Sequence, residues 1–170
     1  MTKAEMTKIF SVMMLAYPNS KMFEGGIQKL KPTIELWTTC LADVDFWTGQ
    51  QAVVRLCREC KYPPTIAEFH EKAEAVTTEI EGEFQNYMSQ IRSADFLYGS
   101  LEDFFAKLPD GRLKKSIEMV GGPRHLLKKL EGGAEIWDWD NLHSAYLKTV
   151  RAQNLPGGTV KLLPYEAKEN

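Results

Sequence analysis

Apolar residues recur along this chain at spacings of three and four, and that regularity constrains the fold more than any other feature. Met6, Ile9, Phe10, Met13 and Ala16 or Tyr17 form one such series. Ile34, Trp37, Cys40, Leu41 and Val44 form a second, and Phe84, Tyr87, Met88, Ile91, Ala94 or Asp95 and Tyr98 another. A period of 3.6 gathers each series onto one stripe of an α-helix, whereas a half-buried strand needs alternation by two. Such alternation is scarce here; only residues 159–163 invite it. The chain is therefore predicted to be all-α.

Capping residues and prolines divide the stripes into helices. Thr2 and Glu5 have the capping-box spacing, in which each side chain satisfies the other's free amide, and Pro18 ends the first helix. Residues 18–31, with Pro18-Asn19-Ser20 and Gly25-Gly26, read as a loop. Pro32-Thr33 opens a second helix, and a third follows Asp45, with Phe46, Val53, Val54, Leu56 and Cys57 as expected buried positions. Gly49 weakens that third helix by about 1 kcal/mol relative to alanine. The sharpest local signal is Tyr62-Pro63-Pro64-Thr65-Ile66-Ala67-Glu68-Phe69. Its two prolines force an extended entry, and Thr65 with Glu68 makes a second capping box. A fourth helix starts there and turns Ile66, Phe69, Ala73 and Val76 inward.

Residues 77–83 are the best linker candidate, with Gly82 either interrupting the helix or only softening its register. They separate a four-helix unit over residues 1–80 from a second helical unit over 83–155, with a loose tail at 156–170. In the second unit Ser100 and Asp103 cap a helix carrying Leu101, Phe104, Phe105 and Leu108, and Pro109-Asp110-Gly111 is a turn. Leu113, Ile117, Met119 and Val120 suggest a short helix closed by Gly121-Gly122-Pro123. Leu126, Leu127 and Leu130 suggest another, ended by Gly132-Gly133. Asp140 or Asn141 would cap a last helix bearing Leu142, Tyr146, Leu147 and Val150.

Composition excludes whole classes. In 170 residues, 44% apolar content and 8 Phe, 6 Tyr and 4 Trp supply enough apolar area to offset the entropy of ordering. No apolar run approaches the ~18–20 residues that a membrane span needs. The first residues, Met1-Thr2-Lys3-Ala4-Glu5, lack the apolar core of a signal peptide. Three cysteines, Cys40, Cys57 and Cys60, are an odd number, which argues against a disulfide framework and for a reduced, cytoplasmic setting.

The net charge of −2 hides segregation. Residues 65–81 hold Glu68, Glu71, Glu74, Glu79 and Glu81 against Lys72. Residues 112–129 hold Arg112, Lys114, Lys115, Arg124, Lys128 and Lys129 against Glu118, and Glu131, Glu135, Asp138 and Asp140 follow. These six cations form the one stretch suited to phosphate or to an acidic partner surface. The plainer reading is a solvated face balanced by its acidic neighbours. Trp137 and Trp139, alternating with acids, are a second candidate partner contact, weighed against packing on the C-terminal helices.

Reactive constellations are scarce. Cys57-x-x-Cys60 has a metal-type spacing that Cys40 and His70 would complete on paper, but no second pair exists and no turn residue separates the two cysteines. Semi-buried thiols are the favoured reading. His70, His125 and His143 sit in no H-E-x-x-H pattern, and neither a G-x-S-x-G elbow nor a phosphate-cradling G-x-x-x-x-G-K-[ST] loop is present. Without convergent acid, base and nucleophile, the expectation is no enzyme, no cofactor and no metal.

The order of these elements resembles a known family. A capped first helix ending in Ala16-Tyr17-Pro18, then Ile34-Glu35-Leu36-Trp37, then a helix running into Lys61-Tyr62-Pro63-Pro64-Thr65-Ile66-Ala67-Glu68-Phe69, resembles the N-terminal domain of phage replicative-helicase loader/inhibitor proteins over about residues 1–80. The second half more loosely resembles phage and prophage replication proteins. The resemblance implies a non-enzymatic adaptor in a bacterial host. Such a protein binds a hexameric, DnaB-type replicative helicase, holds it inactive and competent for loading, and passes it to a phage origin-binding protein. Two alternatives stay open: a phage inhibitor of another nucleic-acid machine, such as an anti-CRISPR protein acting on a Cas nuclease, and a plain protein-interaction module.

Overall fold

The computed structural model describes residues 1–91, 108, 111–131 and 136–152, and every described element is helical. The elements are α1 (Lys3–Ala16), a 3₁₀ turn (Lys21–Phe23), α2 (Gly26–Lys29), α3 (Lys31–Cys40), α4 (Phe46–Glu59), α5 (Ile66–Ile91), α6 (Gly111–Met119), α7 (Gly122–Glu131) and α8 (Ile136–Ala152). The described chain divides into two compact units, one over residues 1–79 and one from residue 80 on. Among the described residues, no helix is long and apolar enough to cross a membrane.

In the first unit, local chemistry sets the helix starts. Thr2 N–H donates to Glu5 Oε2 at 2.8 Å, and Glu5 N–H donates to Thr2 Oγ1 at 3.3 Å, completing the capping box of α1. Asp45 caps α4 by accepting from Thr48 N–H at 3.1 Å. At α5, Thr65 N–H donates to Glu68 Oε2 at 2.7 Å and Glu68 N–H returns to Thr65 Oγ1 at 3.3 Å. Each cap satisfies amides that a helix end leaves open, an effect of about 1 kcal/mol.

The core lies between α1, α3, α4 and the first turns of α5. Met6, Ile9, Phe10 and Met13 of α1 are fully buried, and Tyr17 closes the stripe, whereas Ala16 is exposed. Trp37 sits between two rings: Phe10 meets it edge-on at 5.1 Å and Phe69 at 5.6 Å, at 79° and 71°. Edge-to-face pairs add ~0.5–1.5 kcal/mol each beyond the area they bury. Gly49 is buried because Met1 covers it: a Cβ there would lie 2.9 Å from the Met1 sulfur and 3.6 Å from Phe69 Cζ. Met1 is tied down in turn, its ammonium donating to the Val44 carbonyl at 2.9 Å.

Several sequence expectations need correction. Residues 18–31 are not a plain loop: Ser20 caps the 3₁₀ turn, α2 follows, and Phe23 and Leu30 enter the core. Cys40 is exposed, because α3 ends there and the chain turns at Leu41, so Val44 is buried from beyond the helix. The boundary expected within residues 77–83 is where the two compact units divide, between Glu79 and Ile80, but it is no loop: α5 runs unbroken through it, so Gly82 softens the helix without interrupting it. Gly82 costs ~1 kcal/mol, too little to stop a helix flanked by Glu81 and Glu83.

In the second unit, α6 packs on α8 and on α7. Leu113 and Ile117 of α6 and Leu142, Tyr146 and Val150 of α8 are buried, with Phe84, Met88 and Ile91 from the end of α5. Tyr146 lies 5.5 Å from Phe84, ring to ring. Met119 is 52% exposed rather than buried, since it falls on the face of α6 opposite Ile117's stripe. The last helix begins at Ile136, so Asp140 and Asn141 are inside it and not at its cap. The expected helix at residues 100–107, the Pro109-Asp110 part of the turn, the Gly132-Gly133 stop, the alternation at 159–163 and the tail lie outside the described residues.

Candidate partner-binding surfaces

The Pro-Pro-Thr block is held from both sides. Pro64 is buried, Phe69 anchors the following helix in the core, and Tyr17 fixes the preceding loop. The Tyr17 hydroxyl lies 3.3 Å from the Leu56 carbonyl and 3.2 Å from the Cys60 carbonyl, to which it donates. Burial first, then the neighbouring thiols, push its pKa up to about 12. Tyr62, by contrast, points outward and is 69% exposed.

Two more large apolar side chains face solvent in this unit: Leu15 on α1, 82% exposed, and Leu36 on α3. Both fall outside the apolar stripes of their helices. Apolar residues exposed singly in this way are common on protein surfaces.

Between the α3–α4 turn and α5 lies a cavity of ≈ 550 Å³, lined by Asp43, Asp45, Thr48, His70 and Glu74 among others. His70 Nε2 stands 2.9 Å from Asp43 Oδ2, and its Nδ1 stands 3.7 Å from Glu74. The hydrogen bond to Asp43 raises the His70 pKa, with Glu74 adding charge attraction, while the same bond lowers that of Asp43. His70 is thus half-buried and engaged rather than simply solvent-facing.

The four-ligand set conceivable on paper does not assemble. Cys40 is exposed at the end of α3, His70 is paired with Asp43, and burial pushes the Cys57 thiol up while Tyr17's hydroxyl opposes it. Among the described residues, no group of three or more His, Cys, Asp or Glu side chains converges to hold a metal ion.

In the second unit, the six cations separate. Arg112 turns inward, its guanidinium 3.2 Å from Glu83, and the same carboxylate accepts from the Tyr146 hydroxyl at 2.9 Å. Burial, then the bond to Glu83, raises the Tyr146 pKa well above its ordinary value. Beside this cluster His143 Nε2 lies 2.9 Å from Glu81, its ring 4.6 Å from Phe84. The buried Ser116 and Thr149 hydroxyls meet at 2.9 Å, and both reach the Arg112 carbonyl. The sequence placed Tyr146 on an apolar stripe, Glu81 in an acidic stretch and His143 among the histidines, but not the pairings Glu83–Tyr146 and Glu81–His143, which join positions more than 60 residues apart. Lys114, Lys115, Arg124 and Lys128 are exposed. The Lys129 and Trp137 side chains lie outside the described residues, and Trp139 is half-buried.

These features define an all-α protein that exposes a few large apolar side chains in its first unit and several cations in its second. Residues 1–70 match the family model for the N-terminal domain of the gp39 family. This is the family of phage helicase loader/inhibitor proteins, and the matched segment is the part of the chain similar to helicase-associated phage proteins. No curated protein and no solved structure matches the chain.

Proposed function

We propose that this protein is a non-enzymatic replication adaptor that binds a hexameric, DnaB-type helicase of the host and governs its loading. The observation that supports this reading is the match over residues 1–70, which covers the described helices from α1 to the start of α5. The task needs docking surfaces and no reaction of its own. Exposed Leu15, Leu36 and Tyr62 supply apolar anchors on a rigid frame, the kind of group that carries interface energy once desolvated. A phage origin-binding protein is the second partner of this reading.

The test is size-exclusion chromatography with light scattering on the chain mixed with a DnaB-type hexamer, together with the helicase's ATPase rate. Co-elution and a depressed rate are expected. Separate elution with an unchanged rate would refute the proposal.

A further inference from the structure

Lys115, Met119, Arg124, His125 and Lys128 are exposed side chains of α6 and α7, on either side of the Gly121-Gly122 turn that joins the two helices. Lys115 and Met119 are one helical turn apart on the exposed side of α6. The chain then reverses through Gly121 and Gly122, whose φ angles of 111° and 82° lie in the left-handed region that glycine alone adopts cheaply. The His125 side chain covers Gly121 so closely that a Cβ there would lie 3.0 Å from His125 Cγ. Arg124 and His125 are adjacent exposed residues of α7, and Lys128 lies one turn beyond Arg124 on the same face. Among the described residues, Lys115, Arg124 and Lys128 take no acidic partner, and Glu118 is the one acid whose side chain is described on these two helices.

We propose that this strip is a contact surface for the phosphodiester backbone of a nucleic acid, independent of the helicase reading. Three exposed cations without acidic partners attract phosphate by charge, and releasing the counterions held by the strand drives binding. Met119 and His125, an apolar and a planar side chain between the cations, offer a surface for sugars or unstacked bases. Arg112 is not part of it, because Glu83 holds its guanidinium.

Fluorescence anisotropy tests this on the whole chain without helicase, using a labelled single strand of thymidines, a labelled duplex of mixed sequence and a labelled polyglutamate. For three phosphate contacts the single-strand affinity should fall about twentyfold between 50 and 200 mM salt, with a log–log slope of about −2. The triple variant Lys115→Gln, Arg124→Gln, Lys128→Gln should abolish that slope. The control Lys21→Gln, Lys31→Gln, on the first unit, should leave it intact. Stronger binding of the single strand would assign base stacking to the strip, and equal binding of the duplex the backbone alone; either supports the proposal. Three results would overturn it: no salt-dependent binding of either DNA, a triple variant that stays folded by circular dichroism and binds as the parent does, or capture of polyglutamate but of neither DNA.

Discussion

Phe69 is the residue whose loss should be felt most in the first unit. It has no exposed surface, meets Trp37 edge-on at 5.6 Å and is the first core residue of α5 after the Pro-Pro entry. Truncation to alanine leaves a cavity beside Trp37 and removes one of its two ring contacts. Phe→Ala at such a site costs roughly 3–5 kcal/mol. In a unit of about 80 residues each kcal/mol moves the melting midpoint by roughly 4–8 °C, so Phe69→Ala should lower it by about 15–30 °C. Phe69→Leu keeps most of the volume and should cost under ~1.5 kcal/mol. Leu15→Ala, at a side chain 82% exposed, should change stability by less than ~0.5 kcal/mol. Thermal melts followed by near-ultraviolet circular dichroism would rank the three. A Phe69→Ala midpoint within about 3 °C of the parent, or a Leu15→Ala loss as large as that of Phe69→Ala, would refute the core as described.

The His70–Asp43 pair makes stability depend on pH in a definite direction. His70 is raised, so its share is fully present below the ordinary histidine value of about 6.5 and is lost as pH climbs through the raised one. Asp43 is lowered, so its share holds above the ordinary carboxylate value of about 3.9 and is lost as pH falls through the lowered one. The pair therefore stabilises most between those limits. In Asp43→Asn the His70 midpoint, read by nuclear magnetic resonance titration, should fall toward the ordinary value; an unmoved midpoint would contradict the pairing. In the second unit Thr149→Val removes the 2.9 Å contact between the two hydroxyls while Ser116 keeps its own bond to the Arg112 carbonyl, and denaturation should show a loss of about 0.5–1.5 kcal/mol. Adding Ser116→Ala should cost less than its own single effect, because the two groups share one bond; additive losses would mean they do not.

Much of the first unit was legible because its signals are local. The Thr2–Glu5 and Thr65–Glu68 boxes each span one helical turn, and the Met6–Ile9–Phe10–Met13 stripe needs only the 3.6 period. The resemblance carried by the Pro-Pro-Thr block belongs to the same stretch, residues 1–70, that the family model matches. At Gly82 the sequence allowed either a break or a softened helix, since a glycine's helix penalty is a local quantity and the packing of Phe84 and Met88 that outweighs it is not.

The order of α1, α3, α4 and α5, the capped starts of α1, α4 and α5 and the inward stripe of α1 were thus set by the sequence alone, through contacts between residues three or four apart. Tertiary structure decided what the stripes meet. It brought Tyr17 to the Cys60 carbonyl and His70 to Asp43, drew Arg112 onto Glu83, and left Leu15, Leu36 and the strip from Lys115 to Lys128 facing outward. Partners tens of residues apart in the chain leave no periodic trace in it. A cation that will be neutralised inside the fold has the same side chain as one left free to bind, and only packing separates them.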